Sequence, residues 1–556
     1  MLFILKYQGE MMKAKIINLL KSSVEKIGAA DIDIYVETPK NIGNGDFSSN
    51  IAMQLTKILR KNPRIIAEEI INNIEENSFV EKIEIAGPGF INFFVNKSNL
   101  ADILSEVFQK NENFGENQTG NNEKILLEYV SANPTGDLHV GHARNGAVAD
   151  SLARIMKKSS YDVTREFYVN DAGKQIKNLS MSADARYKQA LGLDVQMPED
   201  AYNGKDIVKL GQVLAKEYGD SLLSKKEDEY LKFLRSYSVN YQLEKLKNDL
   251  KDFRVEFDNF YSETSLYESG KVKATLEKLE ELGHLYKLDG ATWLRTTELL
   301  TGDDKDRVLI KADGAYTYFT PDIAYHKDKF DRGFEKLINL FGADHHGYVP
   351  RLKASVNATG YNSNNLEILI MQLVRLLENG QEVKMSKRTG KSITIRDLID
   401  EVGVDAARYF LVMRSADAHL DFDFTLAKEQ SSDNPLYYVQ YAHARICSIL
   451  RQADEQKIEA RQYNKELLTD DYSVEILKNL AYFPEVVAQA AKSYEPHRVC
   501  NYMQNLAASL HKFYGNKKVI TDNKEQTASY LALIKAVKIT IKNALELIGV
   551  NAPEKM

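Results

Sequence analysis

Ser131-Ala-Asn-Pro-Thr-Gly-Asp-Leu-His-Val-Gly-His142 is the stretch from which the rest of the chain can be read. A β-branched and apolar run, Ile125 to Val130, enters it, and an apolar-periodic helix from about Val140 to Lys158 leaves it. Between them lies a Pro- and Gly-bearing turn with two histidines three apart. Strand, turn and helix in that order aim free backbone N–H groups and the positive end of a helix dipole at one point, which suits a nucleotide phosphate. His139 and His142 share a face of the first turn. Their imidazoles can donate to phosphate oxygens as negative charge develops on an α-phosphate. Gly141 between them lets a flat base or ribose approach the backbone. An isolated His-x-Gly-His fits a loop end and a solvated histidine equally well. The order of the surrounding elements favours the nucleotide.

Working outward, a strand over 162–169 completes a βαβ unit. Strand signals return at Arg307–Ile310, Tyr316–Phe319, Leu337–Phe341 and Leu366–Ile370. Parallel strands separated by helices imply a Rossmann-like, doubly wound sheet whose ligand lies off the carboxyl ends of its strands. Residues 180–285 are charged and mostly helical in pattern, and read as an insertion in this α/β domain. Ahead of it, residues 1–115 form a small α+β domain. One helix is marked by Ile16, Leu20, Val24 and Ile27, and a hairpin turns at Gly87-Pro88-Gly89. The polar stretch Asn111 to Asn122 is the linker. From about Asn434 the pattern is helical throughout, with Leu436, Val439, His443, Ile446 and Leu450 on one stripe. The expected architecture is therefore multidomain α/β: residues 1–115, then 120–430, then an all-α domain over 431–556.

Bulk properties exclude several classes. The 556 residues are 44% hydrophobic and 27% charged, as in ordinary globular proteins. The two cysteines, Cys447 and Cys500, form no Cys-x-x-Cys, so neither a zinc site nor a disulfide framework is expected. A reducing, cytoplasmic compartment fits. The apolar start, Met1-Leu-Phe-Ile-Leu-Lys-Tyr7, is too short for a signal peptide or membrane span, and Met11 and Met12 offer alternative starts. A net charge of −6 argues against a nonspecific nucleic-acid coat but leaves room for a local basic face.

The second stretch with chemistry is Lys384-Met-Ser-Lys-Arg-Thr-Gly-Lys391. Its cations, with Ser386 and Gly390 between them, could close over a triphosphate and neutralise departing pyrophosphate. By itself it fits a solvated basic loop as well. Asn379-Gly380 supplies a turn before it, Thr394 with Asp397 resembles a capping box after it, and Gly403 suits the end of that next helix.

The two motifs together resemble the signature pair of class I aminoacyl-tRNA synthetases. The longer match Glu128-Tyr-Val-Ser-Ala-Asn-Pro-Thr-Gly-Asp-Leu-His-Val-Gly-His142 is similar to the arginyl-tRNA synthetase family. So are Phe167–Gln175, expected at the pocket rim, the N-terminal stretches Ile42–Met53 and Gly87–Phe93, Asn434–Arg445 and Ala552–Met556. Small-molecule nucleotidyltransferases share the histidine geometry but are shorter and lack the helical C-terminal domain.

That resemblance implies ATP-dependent formation of arginyl-adenylate, then transfer to the 2′-hydroxyl of the terminal adenosine of an arginine-accepting tRNA. It implies magnesium with the ATP, no structural metal, no membrane, a monomer, and tRNA bound before adenylate forms efficiently. It assigns catalysis to His139, His142, Lys384 and Lys387, and ATP contacts to Gly136, His139, Gly141, His142, Met385, Ser386 and Lys387. Arginine is expected on Glu128, Ser131, Asn133, His139, Tyr318, Asp322 and Asp344.

A guanidinium wants a planar carboxylate and an aromatic wall, and Tyr316-Thr-Tyr-Phe-Thr-Pro-Asp322 supplies both. Thr320 is the expected N-cap and Pro321 the first helical residue, which puts Asp322 in the first turn beyond a strand. The helix dipole alone would also favour an acid there. Asp344, His345 and His346 are read as hydrogen-bonding groups, because adjacent histidines diverge on an extended chain and no third ligand is suitably spaced. Tyr438, Tyr441 and Arg445 are expected at the tRNA, stacking on splayed bases or meeting phosphates; helix packing explains them equally well.

Overall fold

The computed structural model describes residues 2–29, 32–37, 39, 45–77, 79–299, 301–383, 392–458 and 463–556. The basic loop Lys384–Lys391 lies outside the described residues, as do positions 41–44 of the N-terminal glycine-bearing stretch.

The central sheet has five parallel strands. They are β1 (Lys124–Glu128), β2 (Asp162–Val169), β3 (Asn259–Ser262), β4 (Lys336–Gly342) and β5 (Leu366–Met371), in spatial order β5-β4-β1-β2-β3. Ile125, Leu126 and Leu127 are all buried, as an apolar run must be when helices cover both faces of a parallel sheet. Helix α1 (Val140–Lys158) joins β1 to β2, α2 (Phe319–Asp331) precedes β4, and α3 (Ile395–Val412) follows the basic loop. Chain order reverses between β1 and β4, so the crevice opens above the carboxyl ends of those two strands. Asn145 of α1 spans that gap: its Oδ1 accepts from Val130 N–H at 2.8 Å and its Nδ2 donates to the Leu340 carbonyl at 3.1 Å.

Three expectations change. Arg307–Ile310 is a strand, but it belongs to a separate antiparallel sheet with Ala291–Leu294 and Leu285–Leu288. Tyr316–Phe319 is not a strand. Its aromatics and threonine give it β propensity, yet only Tyr316 bridges to Ile310. The Thr317 and Thr320 hydroxyls instead donate to the Val308 and Leu309 carbonyls, and α2 begins at Phe319. Thr320 therefore sits inside the helix rather than at its N-cap, which is Tyr318, while Asp322 keeps its first-turn place. Finally, residues 180–285 are mostly helical as expected, but they are not all an insertion outside the main sheet, because 259–262 adds β3 to it. Helices Gly173–Ala190, Lys205–Tyr218 and Glu227–Asp252 pack on one another around Tyr187, Leu210 and Leu234.

At the N-terminus, strands Val80–Ala86 and Phe90–Val95 form the expected hairpin, with Ile85 opposite Ile91. Gly87 and Gly89 take positive φ at its turn, where a side chain would be strained. This unit has its own core, running from Ile16 through Ile51 and Ile66 to Phe93. The C-terminal helices Pro435–Glu455, Asp471–Lys492, His497–Asn516 and Lys524–Leu547 behave differently. They share one core with the central sheet, illustrated by Phe114 and Phe483 at 5.7 Å between ring centres. Among the described residues no helix is long and apolar enough to cross a membrane.

Candidate active site

Val130 and Ser131 both take left-handed backbone conformations where β1 ends, with φ of 63° and 41°. For a β-branched residue this is strained, and such strain persists only where surrounding bonds impose it. Here Asn145 holds the Val130 N–H, while the Ser131 hydroxyl accepts from Tyr168 N–H at 3.1 Å and donates to Glu128 Oε1 at 3.0 Å. The chain then turns into the histidines.

His139 is the N-cap of α1. Its Nδ1 accepts from Gly141 N–H at 3.0 Å, and His142 Nδ1 accepts from His139 N–H at 3.2 Å. The rings stack with centres 3.8 Å apart. Burial pushes both below the ordinary imidazole range, His142 to about 3 with His139 adding to its shift. Both rings are therefore neutral at pH 7. With Nδ1 committed as acceptor, each neutral ring carries its proton on Nε2, where it can donate to an anion. Gly141 has a sharper reason than open approach: a Cβ there would lie 2.9 Å from His139 Cε1.

The stretch just after the basic loop is bonded directly to the histidine turn. Val140 N–H donates to the Ile393 carbonyl at 3.0 Å, Ile395 N–H donates to the Leu138 carbonyl at 2.8 Å, and His139 pairs with Thr394. Thr394 and Asp397 form the expected capping box of α3, and Gly403 interrupts that helix with φ 76°. Beside this junction lies a cavity of about 1380 Å³, lined among others by Gly136, His139, Thr394, Tyr241 and Arg396.

Across the crevice, Asp322 projects from the first turn of α2. Burial pushes its carboxyl up to about 7; Glu263 and Glu128 add to the shift, and a hydrogen bond from the Tyr348 hydroxyl opposes it. Tyr348 is thus the aromatic hydrogen-bonded to Asp322. Tyr318 is 75% exposed, and among the described residues no ring contact or hydrogen bond ties it to Asp322. Glu128 is buried and ion-paired with Lys329 at 2.5 Å, so it reaches the crevice as part of a pair. Asn133 is exposed at the turn. Asp344 is also exposed, 3.6 Å from His345. The Phe167–Gln175 stretch is the end of β2, a short turn and the start of helix Gly173–Ala190, and in that turn Asp171 accepts from Ser262 Oγ and Thr264 N–H.

Lys329, Tyr348 and Asn145 were not anticipated. Lys329 could have been, since Asp322, His326 and Lys329 fall at helical spacing on one face of α2. Asn339, which touches both of the latter two, interrupts the apolar run Leu337-Ile-Asn-Leu-Phe341. On the C-terminal helices, Tyr438 packs against His511 with ring centres 4.5 Å apart, and Tyr441 stacks on Tyr437. Arg445 lies over the Tyr514 ring at 5.1 Å. Tyr441 and Arg445 are exposed, so the cluster presents aromatic faces and a cation to solvent.

Comparison with known proteins agrees along the chain. Residues 13–95 match an arginyl tRNA synthetase N-terminal domain, 103–423 a class I (R) tRNA synthetase catalytic domain, and 439–556 a DALR anticodon binding domain. The chain is 54% identical over 555 residues to the arginine–tRNA ligase of Bacillus subtilis strain 168, covering 99% of this chain and all of that one. It is 55% identical over 552 residues to the enzyme of the same name from Staphylococcus aureus strain N315, covering 98% and 99%. A crystal structure from Campylobacter jejuni, assigned as an arginyl tRNA synthetase, superimposes with TM-score 0.74 at 36% identity over 83% of this chain and all of that one. The Thermus thermophilus arginyl-tRNA synthetase shares the fold, with TM-score 0.70 at 22% identity over 98% and 100%.

Proposed function

The chain belongs to the class I arginyl-tRNA synthetases and joins arginine to tRNA at the expense of ATP, and from that premise we propose how its own residues divide the work. In the first step an arginine carboxylate oxygen attacks the ATP α-phosphorus. The bond from that phosphorus to the bridging oxygen breaks, pyrophosphate leaves, and arginyl-adenylate remains. The Nε2–H groups of His139 and His142 donate to the phosphate oxygens that gain charge, and being neutral they do so without giving up a proton. Lys384 and Lys387 act on the β- and γ-phosphates, alongside Met385 and Ser386, and Gly136 and Gly141 keep the nucleotide close to the backbone. Magnesium arrives with ATP as part of that substrate.

Asp322 takes the guanidinium, a planar cation that matches a carboxylate in bidentate geometry. Tyr318 and Asp344, exposed in the free protein, close on the arginine once it is bound. Ser131, Asn133, His139 and Glu128 face its α-amino and carboxylate end. In the second step the 2′-hydroxyl of the tRNA terminal adenosine attacks the adenylate carbonyl and AMP leaves. The protein positions groups and stabilises charge, and forms no covalent bond itself.

We further propose that the chain works as a cytoplasmic monomer divided into residues 1–115, 120–430 and 431–556. The first part meets the tRNA elbow. Tyr438, Tyr441 and Arg445 of the last stack on or pair with anticodon nucleotides.

One observation supports the joint action of the two motifs most directly: the segment following the basic loop is hydrogen-bonded to the histidine turn, through Val140 to Ile393 and Ile395 to Leu138. The test is arginine-dependent pyrophosphate exchange and tRNA charging. His142→Ala and Lys387→Ala are each expected to slow adenylate formation about a hundredfold, the scale of losing one transition-state donor. Unchanged rates would remove those residues from the chemistry.

A further inference from the structure

Beneath the crevice, three buried side chains connect the two ends of the arginine pocket, and the direction of every hydrogen bond between them is fixed from both ends, by an ammonium that can only donate and a carbonyl that can only accept. Lys329 is fully buried, with Nζ 2.5 Å from Glu128 Oε2 and 3.2 Å from Asn339 Oδ1. An ammonium has no lone pair, so Asn339 must turn its oxygen toward Lys329 and its amide N–H groups toward His326. Asn339 Nδ2 is 2.8 Å from His326 Nε2, which is therefore the accepting nitrogen. The ring proton then sits on Nδ1, and Nδ1–H donates to the Asp322 carbonyl 2.8 Å away. Burial holds this imidazole well below its usual range, so it is neutral. At the other end Glu128 Oε1 accepts from Ser131, whose oxygen accepts from Tyr168 N–H. The Tyr325 ring, 4.2 Å from Nζ, covers the apolar side of the ammonium.

We propose that Lys329 is a positioning residue for the arginine substrate. It compensates Glu128 at the α-amino end and, through Asn339 and His326, sets the first turn of α2 that carries Asp322 to the guanidinium. This rests on the assignment of Glu128–Ser131 and Asp322 to opposite ends of arginine. Without the ammonium, the Asn339 oxygen loses its donor and Glu128 its counter-charge, while the Asp322 carbonyl, which can only accept, keeps the His326 proton on Nδ1. A lysine that merely filled space could be replaced by an apolar side chain of similar volume with no effect on amino-acid binding.

The test uses the full chain with tRNA present. Lys329→Met is expected to raise the KM for arginine about tenfold while leaving the KM for ATP within about twofold. The nitrogen-15 imidazole spectrum is expected to keep the Nδ1–H form of His326 and to shift the Nε2 resonance, because the Asn339 amide that donates to it has lost its own anchor. An unchanged arginine KM, equal rises for both substrates, or an unmoved His326 Nε2 resonance each overturns the proposal. Because Lys329→Met leaves Glu128 buried and alone, the double variant Glu128→Gln with Lys329→Met removes both charges together. It is expected to stay folded and to show the same shift of the His326 Nε2 resonance; a wild-type resonance there overturns the proposal even if the single variant does not fold. Asp322→Asn separates the two levels. If it leaves the arginine KM unchanged, the site assignment fails and this inference falls with it. If it raises that KM while Lys329→Met does not, only the role of Lys329 falls.

Discussion

Asp322 carries the most chemistry per residue, because its carboxyl is pushed up to about 7 by burial while the partner we propose for it is a permanent cation. If arginine takes the carboxylate form there, as proposed, then below pH 7 each unit of acidity should raise the arginine KM about tenfold, and binding should release a proton. Asp322→Asn is expected to raise the arginine KM about a hundredfold at pH 8, leave the ATP KM alone, and abolish this pH dependence. Equal effects on both substrates would take Asp322 out of the pocket. The stability sign is the reverse of a salt-bridged acid. From the ordinary carboxyl range up to about pH 7 the folded chain holds a proton that the unfolded chain has released, so this group's contribution to stability is lost as pH rises. Saturating arginine should accordingly raise Tm more at pH 8 than at pH 6. Gly141→Ala tests the neighbouring motif: a Cβ 2.9 Å from His139 must displace that ring, so adenylate formation should slow while the arginine KM changes little. At this scale the sequence disclosed residue types better than partners. Asp322 and the histidines announce themselves by motif and cap position. Tyr348 donates to Asp322 from a separate helical turn twenty-odd residues on, a pairing that only tertiary packing determines.

Elements were legible where periodicity was strong and unopposed. Helix 140–158 and strand 162–169 stand where apolar spacing put them, since each buries one consistent face or run. Tyr316–Phe319 misled because β propensity measures fit to a pleated surface, and here threonine hydroxyls occupy the neighbouring strand's carbonyls instead. Helix 227–252 carries a role that its charged, weakly patterned sequence concealed. Lys245 is ion-paired with Asp137, two residues before His139, and Arg396 at the start of α3 reaches Asp249 at 2.8 Å and Asp252 at 2.7 Å. One helix thereby braces both the histidine turn and the start of α3. These pairs are partly exposed, so each should contribute at most about 1 kcal/mol to stability. Arg396→Ala should therefore leave Tm nearly unchanged but slow adenylate formation about tenfold, by loosening the α3 start against Leu138 and Val140. A variant with lowered Tm and normal exchange rate would make the helix a packing element only.

Across the whole molecule, the division into cores predicts how the chain comes apart. The N-terminal unit closes its own core between Ile16 and Phe93, whereas one continuous core runs from Ala101 through the central sheet to Val550. Domain boundaries drawn from sequence marked a separate C-terminal unit, but sequence gives no sign that its helices bury their apolar stripes against the sheet domain. Arg408 shows how tightly the two are joined. Fully buried on α3, it ion-pairs with Asp150 of α1 at 2.6 Å and donates to the carbonyls of Ile548, Phe253 and Arg254. Gly549 must remain glycine beside it, with φ 67° and a would-be Cβ 2.5 Å from the guanidinium. Calorimetry should then resolve a small transition for the N-terminal unit and one large transition for everything after it. Asp150→Asn leaves a buried guanidinium uncompensated, which costs about 3–5 kcal/mol. Spread over about 450 residues unfolding together, at roughly 2.1 cal/mol/K each, that lowers the large transition by about 4 °C and leaves the small one in place. Loss of the C-terminal helices in a transition of their own, insensitive to Asp150, would show that the shared core is not cooperative. The anticodon end would then be tethered to the active site rather than built into it.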